Sequence, residues 1–151
     1  MLLLSFACAG TPAVEEAPKP AAEAAISWVQ VPEGEDLGAA VAREATKARE
    51  AGEEPVAYLG AGWCMPCVIY KKKRDDPRMV EAHAGVRIIE VDVDAYMTDV
   101  PAAGFVTEGI PFWVKLDQEG RPDPTRSLDG DGWKDNTVDA MAPALTAFFA
   151  L

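Results

Sequence analysis

The apolar positions from Ser27 onward switch repeatedly between the two-residue period of a strand and the longer period of a helix. Strand-like runs cover Ser27–Val31, Val56–Leu59, Val86–Val93 and Phe112–Leu116, and a hairpin partner is expected near Thr125–Leu128. Helical patterns cover Leu37 to about Ala51, Val68–Arg74, Pro77 to about Ala84 and Thr137–Leu151. Strands that alternate with helices, followed by a hairpin and a last helix, predict an α/β sandwich.

Short polar signals mark the ends of several of these elements. Asp36 is placed to cap the first helix, and Gly52 is placed to end it. Asp75-Asp76-Pro77 is typical of a break in which an Asp caps a new helix and the proline takes its first position. Val86–Val93 is rich in β-branched residues, which favours a strand covered on both faces. Asp117–Gly120 predicts the turn of a hairpin.

The first 26 residues have a different character. Residues 1–9 form an apolar run that ends in small residues around Cys8, too short for the roughly 20 residues of a membrane span. They resemble the end of a bacterial lipoprotein signal, so we predict that Cys8 is the lipidated first residue of an exported protein on the periplasmic side of the cell envelope. Another exported form, or a disordered start with an incidental cysteine, is the alternative. Residues 10–26 are rich in Ala, Pro and Glu and predict a flexible tether to a domain at 27–151.

Composition narrows the class of protein. The 151 residues suffice for one domain with a single core, and 49% hydrophobic with 26% charged residues is ordinary for a soluble fold. The formal net charge of −11 argues against nucleic acid as a partner, because phosphate binding needs clustered Lys and Arg.

The chemistry of the chain is concentrated at Cys64 and Cys67. The two cysteines stand three residues apart at the predicted start of a helix, directly after a strand and a glycine-containing turn. Unpaired N–H groups and the helix dipole favour negative charge there, so Cys64 is the predicted nucleophile. Cys64 would attack a disulfide in a partner, and Cys67, one turn further in, would resolve the mixed disulfide. No cofactor is implied, because the dithiol itself carries the two electrons.

Three segments carry a resemblance to a known family. They are Trp63-Cys64-Met65-Pro66-Cys67 after an apolar strand, Val91-Asp92-Val93-Asp94 at a strand end, and Gly109-Ile110-Pro111 before Phe112-Trp113-Val114. Over about Val56–Leu116 the chain resembles the thioredoxin-like family. The resemblance implies a three-layer sandwich, a central mixed sheet flanked by helices. It also implies a thiol–disulfide oxidoreductase that acts on protein thiols or disulfides together with an upstream electron donor or acceptor protein.

The resemblance also assigns site residues. It implies a cis peptide bond at Pro111, which packs beside the cysteines and exposes the backbone of Ile110 to an extended substrate. It places Trp63 at the rim of the site, and Met65 and Pro66 also become candidate substrate-binding residues. Pro66 favours the reducing direction.

The chain departs from the family at two points. Many relatives have a buried carboxylate six residues before the first cysteine, where this chain has Tyr58. The neighbouring strand has Glu90 where a lysine is common, so we hypothesise that Glu90 handles the proton of Cys67; a purely structural glutamate is the alternative. The proline that bends the active-site helix is absent near Lys72, and Asp75-Asp76-Pro77 resembles a branch with periplasmic reductase domains and small exported proteins.

Two other functions compete with disulfide exchange. A thioredoxin-fold metal-binding module would use both thiolates for zinc or copper, but the chain has a single histidine, His83, and no second cysteine pair; we predict no metal ligands. A redox-inert interaction domain would keep the disulfide closed. The basic run Lys71–Arg74 is suited to steering an acidic partner or touching anionic lipid, or is simply a solvated helix face.

Overall fold

The structure is a computed structural model that describes residues 25–130 and 133–151. The predicted lipidation residue Cys8 and nearly all of the predicted tether lie outside the described residues. Ile26, the last residue of that predicted tether, is half-buried against the core. No helix in the described ranges is long and apolar enough to cross a bilayer.

Within residues 25–130 and 133–151, five strands form one mixed sheet. They are β1 (Ser27–Gln30), β2 (Glu54–Gly60), β3 (Val86–Asp92), β4 (Phe112–Leu116) and β5 (Pro122–Asp129), in the spatial order β1-β3-β2-β4-β5. The first three in this order run parallel to one another, and β4 and β5 are each antiparallel to their neighbour. The interior place of β3 and the hairpin of β4 and β5 confirm the sequence predictions, although β5 begins at Pro122, three residues earlier than predicted.

The described part of the chain has five helices: α1 (Leu37–Glu50), α2 (Met65–Lys73), α3 (Pro77–Ala82), α4 (Asp99–Ala102) and α5 (Val138–Phe149). Asp36 caps α1 by accepting the N–H of Ala39, and Gly52 has a φ of 75° just beyond its end. Asp76 caps α3 with Pro77 in the first position. The structure therefore confirms the predicted caps of α1 and α3 and the predicted end of α1.

Side chains that alternate along β2 face two separate cores. Val56 and Tyr58 face a core shared with α2, α3 and α5, whereas Ala57 and Leu59 face a core shared with α1. Helices therefore cover both faces of the mixed sheet, which confirms the predicted three-layer α/β architecture. Because β2 and β3 are parallel, the segment between them must carry the chain back along the sheet, and α2 begins that return at the carboxyl end of β2.

Candidate active site

The two cysteines of the motif form a disulfide at the start of α2. Cys64 is the N-cap of this helix, with φ −74° and ψ 103°, and its Sγ accepts the N–H of Cys67 at 3.3 Å. Pro66 occupies the first turn, where its missing N–H removes no helical hydrogen bond. Cys64 retains 4% exposure, whereas Cys67 is fully buried. When the disulfide opens, a thiolate on Cys64 would lie against a donor N–H and the positive end of the helix dipole.

The loop before β4 faces the disulfide. The Sγ of Cys64 lies 3.7 Å from the carbonyl oxygen of Ile110, and the peptide bond between Ile110 and Pro111 is cis. Pro111 is held from the other side because its carbonyl accepts the backbone N–H of Gly130 at 2.8 Å. The fold thus brings Cys64, Cys67, Ile110 and Pro111 together from two segments of the chain.

An exposed apolar rim and a cleft adjoin the disulfide. Trp63 and Met65 are 69% and 64% exposed, and the indole of Trp63 donates to the carboxylate of Asp94 at 2.9 Å. The cleft has a volume of about 450 Å³ and is lined by Pro66, residues 106–112 and residues 129–130. Its lining includes Ile110 and Pro111, so an extended segment lying in the cleft would reach the backbone next to Cys64.

Glu90 is bound by groups other than the cysteines. It is opposite Tyr58 in the register of β2 and β3, as the alignment of the strand ends predicted. Its carboxylate accepts the indole N–H of Trp28 at 2.8 Å and the ammonium of Lys71 at 2.7 Å. The structure therefore places Glu90 in an ion pair with the last turn of α2, and its proton-handling role toward Cys67 stays a prediction.

The structure also contains a buried polar chain that the sequence analysis missed. His83 donates from Nδ1 to the carbonyl of Met79 at 2.7 Å, so its Nε2 accepts the hydroxyl hydrogen of Tyr70 at 2.7 Å. The same hydroxyl accepts the indole N–H of Trp113 at 3.3 Å. Burial lowers the pKa of His83 and raises the pKa of Tyr70, so both side chains are neutral at pH 7. Tyr70 stands one helical turn after Cys67, and that spacing was the signal available in the sequence.

The basic run on α2 is partly used inside the fold. Lys71 pairs with Glu90, and the guanidinium of Arg74 lies 5.2 Å from the centre of the Trp28 ring. Lys72 and Lys73 are exposed. Among residues 25–130 and 133–151, no group of three or more His, Cys, Asp or Glu side chains is arranged to hold a metal ion.

Solved structures with a similar fold exist, although no protein-family model and no curated protein matches the sequence. A disulphide isomerase from Xylella fastidiosa Temecula1 matches with a TM-score of 0.57 and 21% identity, over 79% of this chain and 92% of its own. Trxlp from Edwardsiella tarda EIB202 matches with a TM-score of 0.48 and 16% identity, over 68% of this chain and 91% of its own. At 21% identity, the match to the disulphide isomerase shows a similar fold alone: the chain has a thioredoxin-like α/β fold.

Proposed function

We propose that this protein is a thiol–disulfide oxidoreductase that exchanges disulfides with partner proteins through Cys64 and Cys67, mainly in the reducing direction. One observation carries the proposal: the disulfide lies at the N-terminus of α2 with Cys64 as the cap, facing the Ile110 carbonyl. The disulfide isomerase with a similar fold is consistent with this chemistry. Pro66 between the cysteines supports the reducing direction.

The proposed cycle begins with the reduced dithiol. The Cys64 thiolate attacks one sulfur of a partner disulfide, and the other partner sulfur leaves as a thiolate that takes up a proton. Cys67 then loses its proton and attacks the Sγ of Cys64. This step closes the Cys64–Cys67 disulfide and releases the second partner thiolate. Two electrons pass to the partner, and a dithiol protein upstream returns them by the reverse steps.

The cleft beside Cys64 supports a choice of partner segment. Its lining includes the exposed side chains of Val106 and Glu108 together with Asp129, and among the lining residues no lysine or arginine occurs. An acidic cleft favours an extended partner segment that has a positive charge close to its disulfide.

The proposed location is the cell envelope, with the domain tethered to a membrane through a lipid on Cys8. The support is the sequence pattern of residues 1–9 and the Ala-, Pro- and Glu-rich stretch that follows. Metabolic labelling with a radioactive fatty acid tests this location, since the label is expected on the wild type and should be lost in Cys8→Ser.

The proposed function is tested by equilibrating the Cys64 and Cys67 pair in graded glutathione and dithiothreitol buffers, with insulin reduction measured on the same sample. We expect a reversible potential and a turnover that disappears in Cys64→Ser but persists in Cys8→Ser. A disulfide that neither reagent opens would indicate the redox-inert interaction domain instead. Uptake of zinc or copper(I) by the reduced protein at one ion per chain, without insulin reduction, would indicate the metal-binding module.

A further inference from the structure

The hydroxyl of Tyr58 lacks a hydrogen-bond partner, and within residues 25–130 and 133–151 it is the one buried side-chain polar atom in this condition. The Tyr58 side chain is completely buried, with its ring 5.5, 5.1 and 5.2 Å from the rings of Trp28, Tyr70 and Trp113. Its three aromatic neighbours all have partners for their polar atoms. A buried hydroxyl without a partner is destabilising, so its retention at this place needs a reason.

The Tyr58 hydroxyl lies at the carboxyl end of β2, the end from which the chain continues to the cysteines. A β-carbon on Gly60 would lie 2.6 Å from it, so the hydroxyl lies beside the last residue of β2, and glycine there makes room for it. Because α2 runs back along β2, Cys67 lies one turn closer to this end of the sheet than Tyr70 does. The ring of Tyr58 already contacts the ring of Tyr70. Its hydroxyl, further along, therefore lies at the level of Cys67, which belongs to the same core cluster.

We infer that the Tyr58 hydroxyl is the hydrogen-bond donor that stabilises the thiolate of Cys67 once the disulfide opens, an inference that rests on the proposed function. In the disulfide, the bond to Cys64 fixes the sulfur of Cys67, and the hydroxyl has no acceptor within hydrogen-bond reach. Opening the bond frees the Cys67 side chain to turn toward the hydroxyl. In the dithiol the same sulfur becomes a thiolate in the resolving step and accepts strongly. The hydroxyl that is unsatisfied in the disulfide is therefore satisfied when the Cys67 thiol ionises.

Tyr58 acts here as a neutral donor. Burial, and then the charge of Glu90 and the neighbouring Tyr70, raise the pKa of Tyr58 above its ordinary value, so the hydroxyl keeps its proton. The Tyr58 hydroxyl does not accept the proton of Cys67. That role is the one predicted for Glu90.

The charged groups around Tyr58 come from several elements. Glu90 on β3 pairs with Lys71 on α2, so their charges largely offset each other. Arg74 on α2 lies over Trp28 on β1, while His83 after α3 is neutral because burial lowers its pKa. None of these charges changes in Tyr58→Phe. The hydroxyl of Tyr70 is already bound by His83 and Trp113, so Tyr70→Phe is the matched control.

Tyr58→Phe is expected to affect the stability of the oxidised and reduced proteins differently. In the oxidised protein the variant loses no hydrogen bond, so its thermal midpoint should equal or exceed that of the wild type. In the reduced protein it loses the donor to Cys67. At a pH above the pKa of the Cys67 thiol, where the reduced protein carries the thiolate, the dithiol–disulfide equilibrium against dithiothreitol should then shift toward the disulfide by about tenfold, the effect of one hydrogen bond to a charged acceptor. A purely structural role would lower the thermal midpoint of both states together.

The direct readout is the pKa of the Cys67 thiol, measured from thiolate absorbance and alkylation rate in Cys8→Ser/Cys64→Ser protein with and without Tyr58→Phe. We expect a higher thiol pKa with Tyr58→Phe and no change with Tyr70→Phe. An unchanged thiol pKa and equilibrium, or the same shift in Tyr70→Phe, would overturn the inference.

A measurement on the wild type does not depend on the variants folding. Reduction should shift the ring carbon resonance next to the Tyr58 hydroxyl in NMR spectra, while that of Tyr70 stays in place. An unmoved Tyr58 resonance would also overturn the inference. If the wild-type disulfide opens reversibly and only the Tyr58 readouts fail, the proposed function stands; if it does not open at all, both fall.

Discussion

Gly130 packs against Pro111 so closely that a side chain does not fit between them. Its N–H donates to the Pro111 carbonyl at 2.8 Å, and a β-carbon on Gly130 would lie 2.7 Å from the Cδ of Pro111. The end of β5 thereby supports the loop that places the Ile110 carbonyl against Cys64. This contact supports the site from outside α2.

Gly130→Ala is expected to displace the Pro111 loop. Overpacking at such a contact destabilises by roughly 1–3 kcal/mol, and a shift of the loop should slow insulin reduction about tenfold or more. Gly62→Ala is the matched control, because a β-carbon there meets nothing within 4 Å. Urea unfolding and insulin turnover measure the two effects; equal turnover in both variants would show that the loop position does not matter.

Glu90→Gln tests the proton-handling role of this carboxylate. If Glu90 accepts the proton of Cys67, the amide should slow disulfide exchange across pH 6 to 9, because glutamine cannot take up the proton. Glu53→Gln is the control, since Glu53 also forms an ion pair, with Arg87 at 2.7 Å, and lies just before β2, at the end away from the cysteines. A rate that is unchanged from pH 6 to 9 would leave Glu90 as the structural partner of Trp28 and Lys71.

The acidic cleft predicts a preference for cationic partner segments. Disulfide-containing peptides with lysine beside the cysteine should be reduced several-fold faster than matched glutamate peptides, and the ratio should fall as salt is added. Glu108→Gln should lower the ratio, whereas Glu81→Gln on α3, away from the cleft, should not. Stopped-flow rates measure it, and equal rates for both peptides in the wild type would contradict the predicted preference.

His83 predicts a loss of stability at mildly acidic pH. Burial lowers the pKa of His83 below the ordinary value of 6.5, so the unfolded chain binds a proton that the folded chain excludes. The contribution is therefore fully present above pH 6.5 and is lost as the pH falls from there toward the lowered pKa. The loss is at most about 1.4 kcal/mol per pH unit for one proton.

The measurement is urea unfolding of the oxidised protein between pH 7.5 and pH 5, in the wild type and in His83→Gln. His83 is the only histidine of the chain, so the assignment is direct. The variant is expected to have lower stability at pH 7.5 and a flatter dependence below pH 6.5. Parallel curves for the two proteins would show that His83 does not cause the loss.

Lys115 anchors the last helix to the sheet. It is 3% exposed on β4, and its ammonium donates to the carbonyl of Phe149 at the end of α5 at 3.0 Å. Lys115→Met should lower the free energy of unfolding by about 1–3 kcal/mol, because the carbonyl loses a charged donor. Lys72→Met, at an exposed position, should change it by less than about 0.5 kcal/mol. Equal urea midpoints for the two variants would exclude the anchoring role.

The order of the elements and the position of the reactive cysteines follow from local patterns in the amino-acid sequence. Asp36, Asp76 and Pro77 act within one turn of their own helix, so their effect does not depend on the rest of the fold. The same holds for Cys64 and Cys67, whose spacing and position after a strand place both on the first turn of α2. Periodicity and helix caps are local properties, so both can be recognised from the sequence alone.

The contacts between distant residues near the disulfide depend on the three-dimensional fold. Three sets of contacts join segments that are well separated in the chain. They are the bonds of Glu90 to Lys71 and Trp28, the hydrogen bond between Tyr70 and His83, and the contact of Pro111 with Gly130. Such contacts depend on the register of the strands and on how the helices pack on the sheet. They also depend on where a glycine, which has no β-carbon, allows two segments to approach closely. The hydroxyl of Tyr58 is the plainest case: its residue type is visible in the sequence, but its burial without a partner follows from packing on all sides.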